Sequence, residues 1–419
     1  MKKLLCFLLA VLMLLSMCAC GVAEDEGPTT LSADQKPKTQ VARPLTWEEF
    51  NSIPIANSSM TEEELRQICL DFMRMQLSFT WTPKEEASYF QKTREVHLTP
   101  PMVYKGLPYK GGGEGGNGLG NIYTAMSLYD TDNGMMDLSG HNAAATISNQ
   151  CSSSVFWCWA RVSNSHNYTF TVHGTQAYGC LRVGPYTYDD SIKTFNQKTT
   201  QVICQENGEQ TMFESYALAE PADGLVNYYN DAGHMRMVVK VDVVRTPTGS
   251  IDGKNSKLTY MDQFTPWRDY KQDTNGAYCM VTGYIDQEIS FKELYDAGYL
   301  PFTLEELNDP SKVEKAEATV DLSGEKMTID QLTKATVKAN YSISDITITV
   351  KNSKGKEVYS YLFPVYTVYS IPAYEAGVMG AVVKADLEKY ETGKYTVEVS
   401  ARLGTGEKPV LYSGKLVKG

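Results

Sequence analysis

Long apolar runs are nearly absent from this 419-residue chain. After residue 20, no stretch approaches the roughly 18 consecutive apolar residues that a membrane-crossing helix needs. Basic clusters are missing too. There are 39 basic against 50 acidic residues, a net charge of −11, and no run of five or more cations. That argues against nucleic acid as the main partner, while the acidic balance favours solubility without selecting a substrate. None of the nine cysteines forms a C-x-x-C pair, so a zinc or iron–sulfur site has no ligand spacing and no metal or cofactor is expected. A G-x-x-x-x-G-K-[ST] loop is also lacking, although eight glycines fall between Gly106 and Gly120. That stretch reads as a flexible surface loop, or as one whose bare backbone lets a substrate approach closely.

What is present is ordinary globular composition, with 42% hydrophobic and 21% charged residues. Wholesale disorder and collagen-like repeats are excluded, and the length suits two or three domains. The N-terminus reads MKKLLCFLLAVLMLLSMCACG. Lys2 and Lys3 followed by an apolar run from Leu4 to Leu15 make a secretory signal. Met17-Cys18-Ala19-Cys20-Gly21 resembles a bacterial lipobox. Residues 1–19 are therefore expected to be removed, and Cys20, ahead of Cys18, to carry lipid as the only membrane anchor. The expected location is the outer face of the cytoplasmic membrane. Residues 20–44, rich in Pro, Thr, Gln and charge, read as a tether.

From residue 45 the pattern is globular. Thr61 with Glu64 makes a capping box. Leu65, Ile68, Cys69, Phe72, Met75 and Leu77 follow at helical spacing, which predicts an amphipathic helix with an apolar core face. SSSVFWCWARV predicts a second helix; MRMVVKVDVVR, SKLTYMDQF and AYCMVTGYI predict strands. SFKELYDAGYLPFTLEEL predicts a closing helix that stops near Gly298 and Pro301. Residues 308–318 read as a charged linker. Residues 319–419 alternate strands and turns and contain no cysteine, which predicts a small β-sandwich without a titratable cluster. The expected organisation is an α+β domain over 45–307 followed by that sandwich.

Chemistry concentrates around Cys151, which follows Gln150 and opens the second helix. A thiol at a helix N-terminus meets the positive end of the dipole and unpaired N–H groups, which favour the nucleophilic thiolate and can hold an oxyanion. Cys158, farther along the same helix, reads as a packed core thiol. Cys180 and Cys204 could pair as a disulfide. A nucleophilic thiol needs a base, and the candidates are His97, His141, His166, His173 and His234. His234 is favoured because it opens a long strand that would fix its ring. A third polar group must orient the ring. Asp262, ahead of Gln263, lies on the strand expected to pair with that of His234.

These contexts resemble the CHAP and NlpC branch of papain-fold cysteine amidases and peptidases. Gly106-Leu107-Pro108-Tyr109-Lys110-Gly111-Gly112-Gly113 is similar to a stretch that precedes the nucleophile in that branch, and Gln150-Cys151 to its nucleophile context. Pro221-Ala222-Asp223-Gly224, then Gly233-His234, then Met261-Asp262-Gln263 resemble the later motifs in order. The likeness spans residues 100–265. It implies a papain-like domain with an N-terminal helical extension, and a Cys151–His234–Asp262 triad. It further implies oxyanion or substrate contacts from Gln150, Gln263 and Tyr109, and peptidoglycan peptides as substrate. Two other classes stand beside it. One is a non-catalytic envelope binding or scaffold lipoprotein. The other is a peptidase or transglutaminase-like enzyme acting on surface proteins.

Overall fold

The computed structural model describes residues 46–417, apart from 92–93, 101, 110–120, 131–132, 140–146, 165–179, 193, 230–231, 265–268, 273–277, 282, 366–373 and 379–383. The expected signal peptide, Cys20 and the tether lie outside the described residues, as do His141, His166, His173 and most of the glycine-rich stretch. The chain is α+β, and Gln40–Gly419 forms one compact unit built on two hydrophobic cores. Among the described residues, no helix is long and apolar enough to cross a membrane.

The first core begins with α1 (Trp47–Asn51) and α2 (Glu62–Ser78). The Thr61 hydroxyl accepts from the Glu64 N–H at 3.2 Å and the Glu64 carboxylate accepts from the Thr61 N–H at 2.8 Å, so the expected capping box starts α2. Leu65, Ile68, Cys69, Phe72, Met73 and Leu77 bury one face of that helix. Each large apolar side chain so buried contributes about 1.5–3 kcal/mol. Then come β1 (Thr80–Pro83), the hairpin β2 (Ala87–Gln91) and β3 (Arg94–Leu98), β4 (Tyr104–Lys105), α3 (Asn121–Ser127), β5 (Tyr129–Asp130) and β6 (Met135–Met136). Next is α4 (Cys151–Trp159), every residue of which is buried.

The next segment holds β7 (Cys180–Arg182), α5 (Thr200–Asn207), α6 (Glu209–Ala217), β8 (Gly224–Tyr229), β9 (Ala232–Asp242) and β10 (Lys257–Gln263). After them come β11 (Asp269–Gln272), β12 (Tyr278–Val281), β13 (Gly283–Ser290), α7 (Phe291–Asp296), β14 (Leu300–Leu304) and α8 (Glu305–Asn308). The described strands form an antiparallel sheet ordered β13-β10-β9-β8-β14-β7, and a smaller one ordered β11-β12-β4-β1-β6-β5. Helices α2 and α4 pack together, and α4 lies against β9 and β10.

One expectation holds in part and another needs correction. SFKELYDAGYLPFTLEEL is a helix only as far as its expected stop. Gly298 adopts φ +71, a left-handed turn that ends α7, and Leu300–Leu304 then enters the sheet between β8 and β7. All of its residues are buried, so it shows none of the alternation that marks a strand in sequence. The expected mix of one helix with strands over 150–285 also omits α5 and α6. Their amphipathicity is weak, and Gly208 at φ +78 separates them.

The second core lies in β15 (Ala318–Val320), β16 (Lys326–Thr328), α9 (Ile329–Lys334), β17 (Thr336–Ala339), β18 (Ile343–Lys351), β19 (Glu357–Pro364), β20 (Glu375–Gly377), α10 (Lys384–Leu387), β21 (Thr396–Leu403) and β22 (Val410–Val417). The described strands form two sheets, ordered β16-β22-β21-β18-β19 and β15-β17-β20. The expected strand, turn and strand around Gly355 are β18 and β19. Strand β18 is buried on both faces because α3 packs on β18 and β19 from the first core. Residues 308–318 are held rather than slack. Val313 joins the first core, and the Glu314 carbonyl accepts from the Tyr341 hydroxyl at 2.9 Å.

Candidate active site

The start of α4 is fastened from three sides by one buried side chain, Asn149. Its Oδ1 accepts from the Gln150 N–H at 2.8 Å and from the Ser153 hydroxyl at 2.5 Å. Its Nδ2 donates to Gln76 Oε1 on α2 at 3.1 Å, and its backbone N–H donates to the Pro108 carbonyl at 2.8 Å. Tyr109 forms a parallel bridge with Asn149. The Gly-Leu-Pro-Tyr loop is thus bolted to the helix that carries Cys151. The first-turn N–H groups of that helix have no intrahelical carbonyl to bond, and the Gln150 side chain caps that of Ser153.

His234 sits on β9, facing Asn227 of β8, whose Oδ1 accepts from the His234 N–H at 2.9 Å. Its ring Nε2 donates to Asp262 Oδ2 on β10 at 2.7 Å. The ring packs edge-on against Phe264, with centroids 4.7 Å apart. Its other nitrogen, Nδ1, is buried and has no hydrogen-bond partner among the described residues. The imidazole and the Cys151 thiol interact electrostatically, each favouring the charged form of the other. The Cys151 sulfur lies 4.0 Å from the Gly233 carbonyl, and the Tyr109 hydroxyl points at it from 3.9 Å. Catalytic contacts in unliganded sites are commonly this loose and tighten with substrate. Cys151 keeps 5% of its surface exposed and His234 8%.

The electrostatics separate this thiol from the rest. Burial opposes ionisation of Cys151, yet the His234 charge, hydrogen bonds with His234 and Tyr109, and the Met235 N–H lower its pKa overall. Burial likewise opposes charging of His234. The thiolate and the Asp262 carboxylate outweigh that and raise the imidazole from 6.5 to about 9. Desolvation pushes Cys69 and Cys204 up to about 12, and Cys158 and Cys180 well above their ordinary value. Among the cysteines so resolved, Cys151 alone shifts toward thiolate. Burial also raises Tyr109 well above its ordinary value, which keeps its proton available as a donor.

Family models, curated proteins and solved structures gave no match to this chain.

The remaining candidates are placed as follows. Gln263, the alternative to Asp262, donates through Nε2 to the Leu107 carbonyl at 2.8 Å and so braces the Tyr109 loop. Gln150 is the half-buried N-cap of α4. His97 is exposed on β3. Cys180 and Cys204 are free thiols, not a disulfide. Cys158 is buried against Met73 and Gln76, as its core reading requires.

Three residues escaped the sequence reading. Asn149 carries no signal beyond its place two residues before Cys151. Arg236 bonds Asp262 Oδ2 through Nε at 3.3 Å. Arg66, on the face of α2, reaches Asp223 at 2.9 Å and the Pro221 carbonyl at 2.7 Å, which fixes the turn where Ala222 takes φ +71 just before β8.

The arrangement can run nucleophilic chemistry. A depressed thiol at a helix N-terminus faces an imidazole whose far nitrogen is anchored by a carboxylate. Donors for a developing oxyanion come from the first turn of α4 and from Tyr109 Oη.

Proposed function

We propose that this protein is an exported, papain-like cysteine hydrolase of the CHAP and NlpC kind that cleaves amide bonds in peptidoglycan peptides. The observation that carries the reading is a buried His234, its Nε2 2.7 Å from Asp262, whose charge acts on the Cys151 thiol at the start of α4. The order of the motifs from Gly106 to Gln263 and the signal-like N-terminus support the same reading. The lipid anchor on Cys20 belongs to this proposal.

The mechanism follows from the placement of protons. Cys151 and His234 rest as thiolate and imidazolium. The sulfur attacks the amide carbon and forms a C–S bond while the carbonyl π electrons move to oxygen. N–H groups of the first turn of α4, with Tyr109 Oη, hold that oxyanion. His234 gives its Nδ1 proton to the amide nitrogen as the C–N bond breaks and the amine leaves. Water then loses a proton to Nδ1 and attacks the thioester. The thiolate departs and the ion pair is restored. Asp262 holds the ring in the orientation that keeps Nδ1 toward the sulfur throughout.

Incubation of the mature protein with purified muropeptides, read by mass, tests this. New fragments that depend on Cys151 and His234 are expected; intact muropeptides after long incubation contradict the substrate. The low exposure of Cys151 and His234 favours a second reading, a non-catalytic envelope binding protein. It expects retention of muropeptides without cleavage and without loss on Cys151→Ala.

A further inference from the structure

Arg236 stands two residues beyond His234 on β9, so both side chains leave the same face of the strand. Asp262 Oδ2 accepts from both, at 2.7 Å from His234 Nε2 and 3.3 Å from Arg236 Nε. The guanidinium lies 4.2 Å from the Tyr260 ring centroid on β10 and 4.6 Å from that of Tyr299, just before β14. Its Nη1 is buried without a hydrogen-bond partner among the described residues. Two aromatic faces and one carboxylate therefore decide where this cation sits.

We propose that Arg236 is a positioning residue: clamped between Tyr260 and Tyr299, its guanidinium holds the Asp262 carboxylate in the rotamer that reaches His234 and adds a fixed positive charge behind the Cys151–His234 pair. This rests on the reading of Cys151 and His234 as a reactive pair. An aspartate fastened only by the imidazole it orients could swing away with it. A second bond to the same oxygen, from a planar group that cannot rotate between two rings, removes that freedom.

The charge has a predictable sign. The titratable and charged groups around His234 are Cys151 from α4, Tyr109 from its loop, Asp262 and Tyr260 from β10, Arg236 from β9 itself and Tyr299 ahead of β14. Taking one fixed cation from this group makes each remaining proton harder to lose. Both the thiol and the imidazole then titrate at higher pH. A residue that merely fills space would lower stability and leave those midpoints where they were.

The test is an NMR titration of ring-labelled histidine in the full chain, with the thermal midpoint followed in parallel. Wild-type His234 is expected to titrate near 9. Arg236→Gln, whose amide still donates to Asp262 while the charge is gone, is expected to raise that midpoint by about one pH unit. Arg236→Lys keeps the charge and is expected to stay within about 0.3 units. It gives up the planar fork, so Cys151 should alkylate several-fold more slowly. A Gln variant that folds but titrates with wild type overturns the proposal. If the Gln variant does not fold, the Lys variant decides. A midpoint displaced by about one unit, or an unchanged alkylation rate, overturns the proposal. A wild-type His234 that titrates near 6.5 means that the reactive pair itself is absent, an outcome distinct from an Arg236 without effect.

Discussion

Cys151 and Cys158 share one helix and differ in their place along it and in what lies beyond the sulfur. Cys158 faces Met73 and Gln76, and burial drives its thiol up. Cys151 faces an imidazole, and the opposite charge wins over burial. That contrast yields a pH profile. In the proposed mechanism, activity needs thiolate and imidazolium together. It should fall in acid, as the thiol takes its proton, and fall again as pH rises through about 9 and His234 loses its charge. Rates of muropeptide cleavage across pH measure this, and a profile flat through 9 contradicts it. Asp262→Asn removes the carboxylate that supports the imidazolium. The alkaline limb should move to lower pH, and the rate should drop about a hundredfold. Much of this site was legible from residue types and order alone, because a strand carrying a histidine and a paired strand carrying Asp262 follow from alternation. Arg236 was not. Its bond to Asp262 depends on the β9–β10 register, which shifts between Thr259 and Tyr260, and no residue pattern announces that shift.

Elements with their own boundary chemistry were readable, and those defined by their neighbours were not. Helix α2 declares itself through Thr61, Glu64 and a periodic apolar face. Helix α4 owes its exact starting point to Asn149, which bonds backward to Pro108, sideways to Gln76 and forward to Gln150. Asn149→Ala should leave Gln76 Oε1 unpaired in the interior and the Gln150 N–H with Ser153 Oγ alone, at about 1–3 kcal/mol, seen as a lower denaturation midpoint together with slower Cys151 alkylation. Strand β14 remained hidden because a strand buried on both faces reads like a helix segment of the same length. Close approach of β8 to α4 is a further demand at this scale. A Cβ on Gly224 would stand 2.8 Å from Met235 Cε and 2.9 Å from Trp159 Cη2. Gly224→Ala should therefore displace the Trp159 indole and cost about 1–3 kcal/mol by calorimetry.

At the scale of the whole molecule, the second core is joined to the first through buried cations. Arg402 of β21 lies over the rings of Trp47, Phe50 and Tyr123 at 4.7–5.7 Å, and its Nε bonds the fully buried Asp345 at 3.1 Å. Arg161, just past α4, stacks on Phe50 and Phe72. Its Nη1 lies so near Gly406 that a Cβ there would be 2.0 Å away. A spacer hung on a loose linker would need none of this. Arg402→Met keeps length but strands Asp345 with Lys408 at 3.7 Å, so a loss of about 3–5 kcal/mol is expected by denaturant titration, with earlier proteolysis within residues 308–318. The strand pattern of residues 319–419 announces strands, but not that both faces of β18 are covered, because Asp345 and Thr347 read as solvent-facing. The most direct test of the central claim is competitive alkylation of the intact protein from about pH 5 to 9, with each cysteine resolved by peptide mass. Cys151 should react first and at lower pH than Cys69, Cys158, Cys180 and Cys204, and should lose that lead in His234→Ala. Equal, slow labelling of all five at every pH would contradict the account.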